Sequence, residues 1–100
     1  MKIDTLVELV STKPSSQDEA KNILCLANAE LKSYIKHCPK YRSPNISFFH
    51  LLFEMRCGLH YKDFKDALEC LKLLCTQYLS NMSQNEVTHL IKLLNEYLEV

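Results

Sequence analysis

Apolar side chains recur at helical spacing through most of the chain. The first ten residues follow an i, i+3, i+4, i+7 pattern, which predicts an amphipathic helix over about 2–11. Its apolar positions are Ile3, Leu6, Val7 and Val10. Pro14 then interrupts the pattern, because proline disfavours the helical conformation at the residue before it.

A longer stripe follows, and it predicts a second helix over about 16–38. Ser16 and Glu19 form a candidate capping box, in which each side chain satisfies a free backbone N–H of the other residue. The stripe then continues for about five turns and stops before Pro39. Its members are Ala20, Ile23, Leu24, Ala27, Leu31, Tyr34, Ile35 and Cys38.

The third predicted helix, about 47–57, is apolar around most of its circumference. Ser47 is its candidate N-cap, and Gly58 is placed to end it in a left-handed conformation. The apolar members are Phe48, Phe49, Leu51, Leu52, Phe53, Met55 and Cys57. A helix that is apolar on nearly all sides is normally buried from several sides, so we expect it at the centre of the core.

Two further amphipathic patterns predict helices over about 61–80 and 84–99. Ser83 and Glu86 form a second capping box at the start of the last one. The apolar positions of the two helices are Tyr61, Phe64, Leu68, Leu71, Cys75 and Tyr78, then Val87, Leu90, Ile91, Leu94 and Leu98. The prediction is an all-α protein, a compact five-helix bundle in which residues 1–100 form one domain.

Composition agrees with a globular domain and excludes several functions. Hydrophobic residues make up 47% and charged residues 24%, with a formal net charge of zero, as in ordinary globular proteins. The chain has one glycine, which excludes the glycine-rich phosphate loops of the Walker and Rossmann types. No cofactor is expected.

The expected compartment is the cytoplasm, of the protein's own cell or of a host cell. No apolar run approaches the roughly 20 residues that cross a bilayer, and the N-terminus lacks the features of a secretory signal. The five cysteines are odd in number and lie mostly within helical patterns, which indicates reduced thiols rather than a disulfide framework. No membrane partner is expected.

The spacing of the cysteine and histidine residues provides one pair of candidate metal ligands. Cys57 and His60 have the spacing that lets neighbouring ligands reach one ion, but structural zinc needs four ligands, usually as two close pairs. His37–Cys38 and Cys70/Cys75 lack a standard spacing for the second pair. We therefore predict no metal ligands, and a small zinc-binding helical domain stays as an alternative.

Catalysis is not expected. Cys57 with His60, and the His50/Glu54 pair, are the candidate catalytic groups, since a reactive thiol needs a base and a group that orients it. A five-helix domain of this size has little room for a cleft with an oxyanion hole. The prediction is a protein that is not an enzyme and has no catalytic residues.

The segment 32–42, called here the basic segment, contains no acidic residue. Its cations are Lys32, Lys36, Lys40 and Arg42, with His37, Tyr34 and Tyr41 between them. Cations with aromatic residues bind phosphates and stack on bases, but cations also stabilise the C-terminus of a helix. The sequence pI of 6.9 lies below the value of about 9 typical of nucleic-acid binders, so a nucleic-acid-binding regulator is the alternative.

Some apolar positions exceed what a small bundle covers with its own helices. They are Leu26, Ala29, Phe49, Phe53, Leu73 and Leu74. Exposed apolar patches often mark protein interfaces. The predicted function is therefore a small non-enzymatic interaction protein of the adaptor, chaperone, immunity or inhibitor type. It docks a helical face on a protein partner, with a homodimer among the candidates, and its predicted contact residues are Lys32, Lys36, Lys40, Tyr41, Arg42 and Leu73.

Overall fold

The computed structural model describes residues 2–41 and 46–98, and within these ranges it contains five α-helices and no strand. The helices are α1 (Lys2–Val10), α2 (Gln17–Tyr34), α3 (Ile46–His60), α4 (Phe64–Gln77) and α5 (Gln84–Leu98). Short 3-10 turns at Ile35–His37 and Leu79–Asn81 follow α2 and α4. The predicted all-α helical bundle is confirmed.

The predicted helix starts at Ser16 and Ser83 are also present. The Glu19 backbone N–H donates to Ser16 Oγ at 3.1 Å, although the Glu19 carboxylate accepts from Ser15 rather than from Ser16. At α5 the box is reciprocal, because the Glu86 N–H donates to Ser83 Oγ at 3.3 Å and Glu86 Oε1 accepts from the Ser83 N–H at 3.0 Å. These local pairings fix where α2 and α5 begin.

The predicted end of the third helix at Gly58 is wrong. Helix α3 begins at Ile46, so Ser47 lies in its first turn, and it continues to His60. The left-handed residue is Lys62, with φ of 60°. The Lys62 N–H donates to the Leu59 carbonyl and the Asp63 N–H to the Gly58 carbonyl, which is the Schellman pattern of a helix end.

Gly58 instead allows α3 and α4 to approach closely. A Cβ atom at this position would lie 3.1 Å from the Ala67 backbone nitrogen and 3.2 Å from the Asp63 carbonyl oxygen. Residues 61–63 form the tight turn between the two helices, so α4 starts at Phe64 rather than at the predicted residue 61. Helix α4 ends at Gln77, before the predicted residue 80, because the chain tightens into the second 3-10 turn.

The central helix is α4, not α3 as predicted. Helix α4 contacts α1, α2 and α3, and its buried residues are Phe64, Ala67, Leu68, Cys70, Leu71, Leu74 and Cys75. Helix α3 packs on α4 but touches α5 along only a short stretch, and it buries Phe48, Met55, Gly58 and Leu59. The outer side of α3 is therefore left uncovered by the described helices.

Helix α5 packs mainly on α2 and meets α3 along a shorter stretch. A part-buried polar contact joins α5 to α2, since Asn28 Nδ2 donates to Asn95 Oδ1 at 2.7 Å. In the described part of the chain, none of the helices combines the length and apolar character needed to cross a membrane.

Candidate functional site

A groove of about 340 Å³ runs between α3 and α5 on the uncovered side of α3. Its walls are formed by Phe49, Leu52, Phe53 and Arg56 of α3 and by His89, Lys92, Leu93 and Glu96 of α5. This α3/α5 groove exists because the two helices pack mainly on other elements, α3 on α4 and α5 on α2.

The α3 wall presents aromatic side chains to solvent. Phe53 is 65% exposed and Phe49 is 43% exposed, and Ile46, one turn before Phe49, is 74% exposed. The three positions share one face of the helix, because residues three and four apart lie above one another. The neighbouring Phe48 is fully buried and meets Phe49 edge-to-face at 5.1 Å between ring centroids. Helix α3 thus has one apolar face in the core and a second one outside.

A second recess continues from the end of the groove nearest the C-terminus of α3. Its volume is about 280 Å³ and its lining is Phe53, Arg56, Cys57, His60, Tyr61 and Tyr97. The His60 ring meets the Tyr61 ring edge-to-face at 5.0 Å and the Tyr97 ring at 6.1 Å. We call this feature the aromatic recess, and it shares Phe53 and Arg56 with the groove.

Arg56 is the cation common to both cavities. Its Nε donates to the Tyr97 hydroxyl at 3.5 Å, and the pKa of Arg56 is raised first by this hydrogen bond, then by the electrostatic interaction with Tyr97, and less by the charge of Glu96. Among the described residues, the groove lining contains the cations Arg56 and Lys92 and one carboxylate, Glu96, whereas the lining of the aromatic recess contains no carboxylate. The site is therefore apolar and aromatic with a net positive rim.

The predicted contact residues lie elsewhere. Lys32, Lys36 and Lys40 are exposed at the end of α2 and just after it, and Tyr41 is 80% exposed. Leu73 is half-buried on α4, and Arg42 lies outside the described residues.

The basic segment is held in place by the start of α5 rather than by the groove. The Gln84 backbone N–H donates to the Pro39 carbonyl at 2.7 Å, and Gln84 Nε2 donates to the Cys38 carbonyl at 3.2 Å. None of its described residues, 32–41, lines the groove or the recess. The structure therefore keeps the predicted basic surface separate from the aromatic one.

The described residues do not provide a set of ligands for the alternative zinc site. Cys57 and His60 lie three residues apart on the uninterrupted helix α3. Within residues 2–41 and 46–98, no group of three or more histidine, cysteine, aspartate or glutamate side chains is arranged to hold a metal ion.

Two other cysteines are held as thiols by the core. Burial raises the pKa of Cys75 to about 12, and burial together with nearby carboxylates such as Asp66 raises the pKa of Cys70 to about 11. Thiolates are the reactive and metal-binding form of cysteine, so these two side chains serve as apolar packing groups at neutral pH.

Part of the groove could be predicted from the sequence. Phe49 and Phe53 were among the surplus apolar positions of the sequence. The polar and aromatic residues of the two cavities were not singled out, because they are separated along the chain by up to 41 residues and come together only through the packing of α5. They are Arg56, His60, Lys92 and Tyr97. No protein-family model, curated protein or solved structure matches the chain significantly.

Proposed function

We propose that this chain is a protein-interaction module whose α3/α5 groove receives an amphipathic helix of another protein. The observation that carries the proposal is the second apolar face of α3, where Phe49 and Phe53 stand exposed beside a groove between two helices.

The energetic reason is the cost of leaving aromatic side chains in water. Full burial of one phenylalanine side chain is favourable by about 1.5–3 kcal/mol, and aromatic residues are enriched at the cores of interfaces. Two large side chains at the centre of a groove therefore supply the anchors that a small binding surface needs.

The shape of the groove suits a helix. Its α3 wall extends from Phe49 to Arg56, which corresponds to roughly 10 Å of helical rise, or two turns. A helix bound in a groove is recognised through apolar residues at i, i+3, i+4 and i+7. The groove accommodates two or three such anchors.

Charge favours a different protein over a second copy of this chain. The cations Arg56 and Lys92 outnumber the single carboxylate Glu96 in the groove lining, so a partner helix with acidic flanks is complementary. A second copy meeting this face offers the same excess of cations, and the described lining of its own aromatic recess has no carboxylate for Arg56.

The test is a selection of helical peptides on the intact protein. A display library of amphipathic peptides of about 18 residues, or five turns, is selected on the immobilised chain, and enriched peptides are measured by fluorescence anisotropy. We expect Phe53→Ser to weaken binding by about tenfold or more, the equivalent of about 1.4 kcal/mol.

Leu26→Ser is the matched control, because Leu26 is 57% exposed and lies on α2, outside the groove lining. It is expected to change affinity less than about twofold. Enriched peptides that bind the Phe53→Ser protein as well as they bind the unmodified chain would refute the proposal.

Sedimentation velocity tests whether a second copy of this chain occupies the groove. We expect the chain to be monomeric across micromolar concentrations. A dimer that Phe53→Ser dissociates and Leu26→Ser leaves intact would assign the groove to a second copy, and the proposed helix of another protein would be wrong.

A further inference from the structure

We infer that the aromatic recess binds a carboxylate side chain of the docking helix and thereby sets which helices the groove accepts. The inference rests on the proposed function, because the recess is continuous with the groove through Phe53 and Arg56.

Arg56 supplies the group that recognises an anion. Its hydrogen bond to Tyr97 uses Nε and is long, at 3.5 Å, so the two terminal nitrogens of the guanidinium are directed to neither Tyr97 nor any other described hydrogen-bond acceptor. A guanidinium presents paired N–H groups that match the two oxygens of a carboxylate. Among residues 2–41 and 46–98, no carboxylate lines the recess.

The recess is open to solvent. Phe53, Tyr61 and Tyr97 border the cavity, and because Phe53 is 65% and Tyr61 78% exposed, a carboxylate there is held by the paired hydrogen bonds of the guanidinium rather than by exclusion of water. The Tyr97 hydroxyl accepts from Arg56 and keeps its own O–H to donate to an incoming oxygen. His60, held edge-to-face by Tyr61 and Tyr97, adds a ring N–H at the same cavity.

The positions of the two cavities along α3 give the spacing in the partner. The groove is lined by α3 residues 49–56 and the recess by residues 53–61, so their centres differ by four to five residues, or about 7 Å of rise. Residues i and i+4 of a bound helix are separated by about 6 Å. We therefore expect an apolar anchor in the groove with aspartate or glutamate one turn away from it.

A nucleic-acid phosphate is the competing anion, since arginine and aromatic rings also bind single strands. The observations favour the carboxylate. Glu96 lines the adjoining groove and repels a polyanion, and the formal net charge of the whole chain is zero, unlike the basic surfaces that follow a nucleic-acid backbone.

The experiment compares two peptides that differ at one position. An enriched helical peptide is synthesised with glutamate or with glutamine one turn from its apolar anchor, and both are titrated into the intact protein. We expect the glutamate peptide to bind about tenfold more tightly, as is typical of a hydrogen-bonded charged group, and we expect the preference to shrink as salt is raised.

Variants of the protein locate the effect. Arg56→Gln should abolish the preference for glutamate while apolar-dependent binding persists, and Tyr97→Phe should reduce the preference by about twofold to fivefold through loss of one hydroxyl. Lys32→Gln is the control, because Lys32 is exposed on α2 and lines neither the groove nor the recess, and it should keep the preference. Circular dichroism establishes that each variant is folded.

The outcomes separate the two proposals. Equal affinity for both peptides, with binding still lost in Phe53→Ser, would overturn the carboxylate inference and leave the proposed function standing. The absence of any groove-binding peptide would overturn both. Binding of an oligothymidine at about 50 mM salt that depends on Arg56 and displaces the glutamate peptide would assign the recess to phosphate instead.

Discussion

Helices α3 and α4 are nearly equal in apolar content but differ in how they use it. Eight of the 14 residues of α4 are apolar and all of these except Leu73 are buried, whereas α3 has nine apolar residues among 15 and buries three of them. The two helices form one hairpin, joined by the turn at Lys62. Composition alone therefore does not set burial.

The difference follows from the number of neighbours around each helix. Helix α4 is covered by α1, α2 and α3, while α3 has α4 on one side and a short contact with α5. The apolar face of α3 that remains exposed is the one that lines the α3/α5 groove. The apolar residues on this face of α3 are not covered by another described helix, and this is the face on which the proposed docking rests.

The largest effect should come from truncating the core of α4. Leu71 is fully buried, so Leu71→Ala should lower the free energy of unfolding by about 2–5 kcal/mol. Phe53→Ala removes more atoms, but it should change the free energy of unfolding by less than about 0.5 kcal/mol, as expected for a surface position. Urea denaturation of both variants measures the contrast, and similar losses in the two would contradict it.

Thiol reactivity gives a second contrast between the same helices. Burial raises the pKa of Cys75 on α4 from 9.0 to about 12, which lowers its thiolate fraction at pH 8 by about 1,000-fold. Cys57 on α3 is half-buried and lines the aromatic recess. With a thiol reagent under native conditions and mass-spectrometric site assignment, Cys57 should react at least about 100-fold faster than Cys75.

The raised pKa of Cys75 also predicts how the stability of the protein changes with pH. Below about pH 9 the Cys75 thiol is protonated in both states, so its contribution to stability is fully present. Between pH 9 and 12 the unfolded chain loses the proton and the folded chain keeps it, so the free energy of unfolding falls as pH rises. Cys75→Ala should flatten this alkaline slope, and an unchanged slope would contradict the buried assignment.

Gly58→Ala tests the close approach of α3 and α4. The added Cβ would meet backbone atoms of Ala67 and Asp63 at 3.1–3.2 Å, and overpacking of this kind costs about 1–3 kcal/mol. Alanine in a helix interior recovers about 1 kcal/mol. We expect a net loss of about 1 kcal/mol in thermal or urea unfolding, whereas a stabilised variant would show that the two helices are not tightly apposed.

Lys62→Gly should change the free energy of unfolding least, and it should stabilise the protein rather than destabilise it. Lys62 adopts φ of 60° at the position of a Schellman motif that usually holds glycine, and glycine has no steric cost there. The expected gain is about 0.5–1 kcal/mol. Lys65→Gly, one turn later within α4, should instead destabilise the protein by a similar amount.

The sequence predicted those features that depend on neighbouring residues. The helical periodicities located all five helices, and the pairs Ser16/Glu19 and Ser83/Glu86 located the starts of α2 and α5 to within a residue. A cap joins groups three or four residues apart, so its physics is contained in a short stretch of sequence.

Features that depend on distant residues were not predictable in the same way. Glycine after an apolar helix is a common end signal, but Gly58 is needed where it is because Ala67 of the next helix packs on it. The aromatic recess requires Tyr97 of α5 to lie beside Arg56 and His60 of α3. Both contacts join different helices, so the spacing of residues along one helix does not predict them.

The Asn28–Asn95 contact has a consequence for the shape of the groove. This part-buried amide pair joins α5 to α2, and its Asn28 Oδ1 has no hydrogen-bond partner among the described residues. Helix α5 is also one wall of the groove, while neither asparagine is among the residues that line it. We therefore expect substitutions of this pair to alter the width of the groove while every lining side chain stays the same.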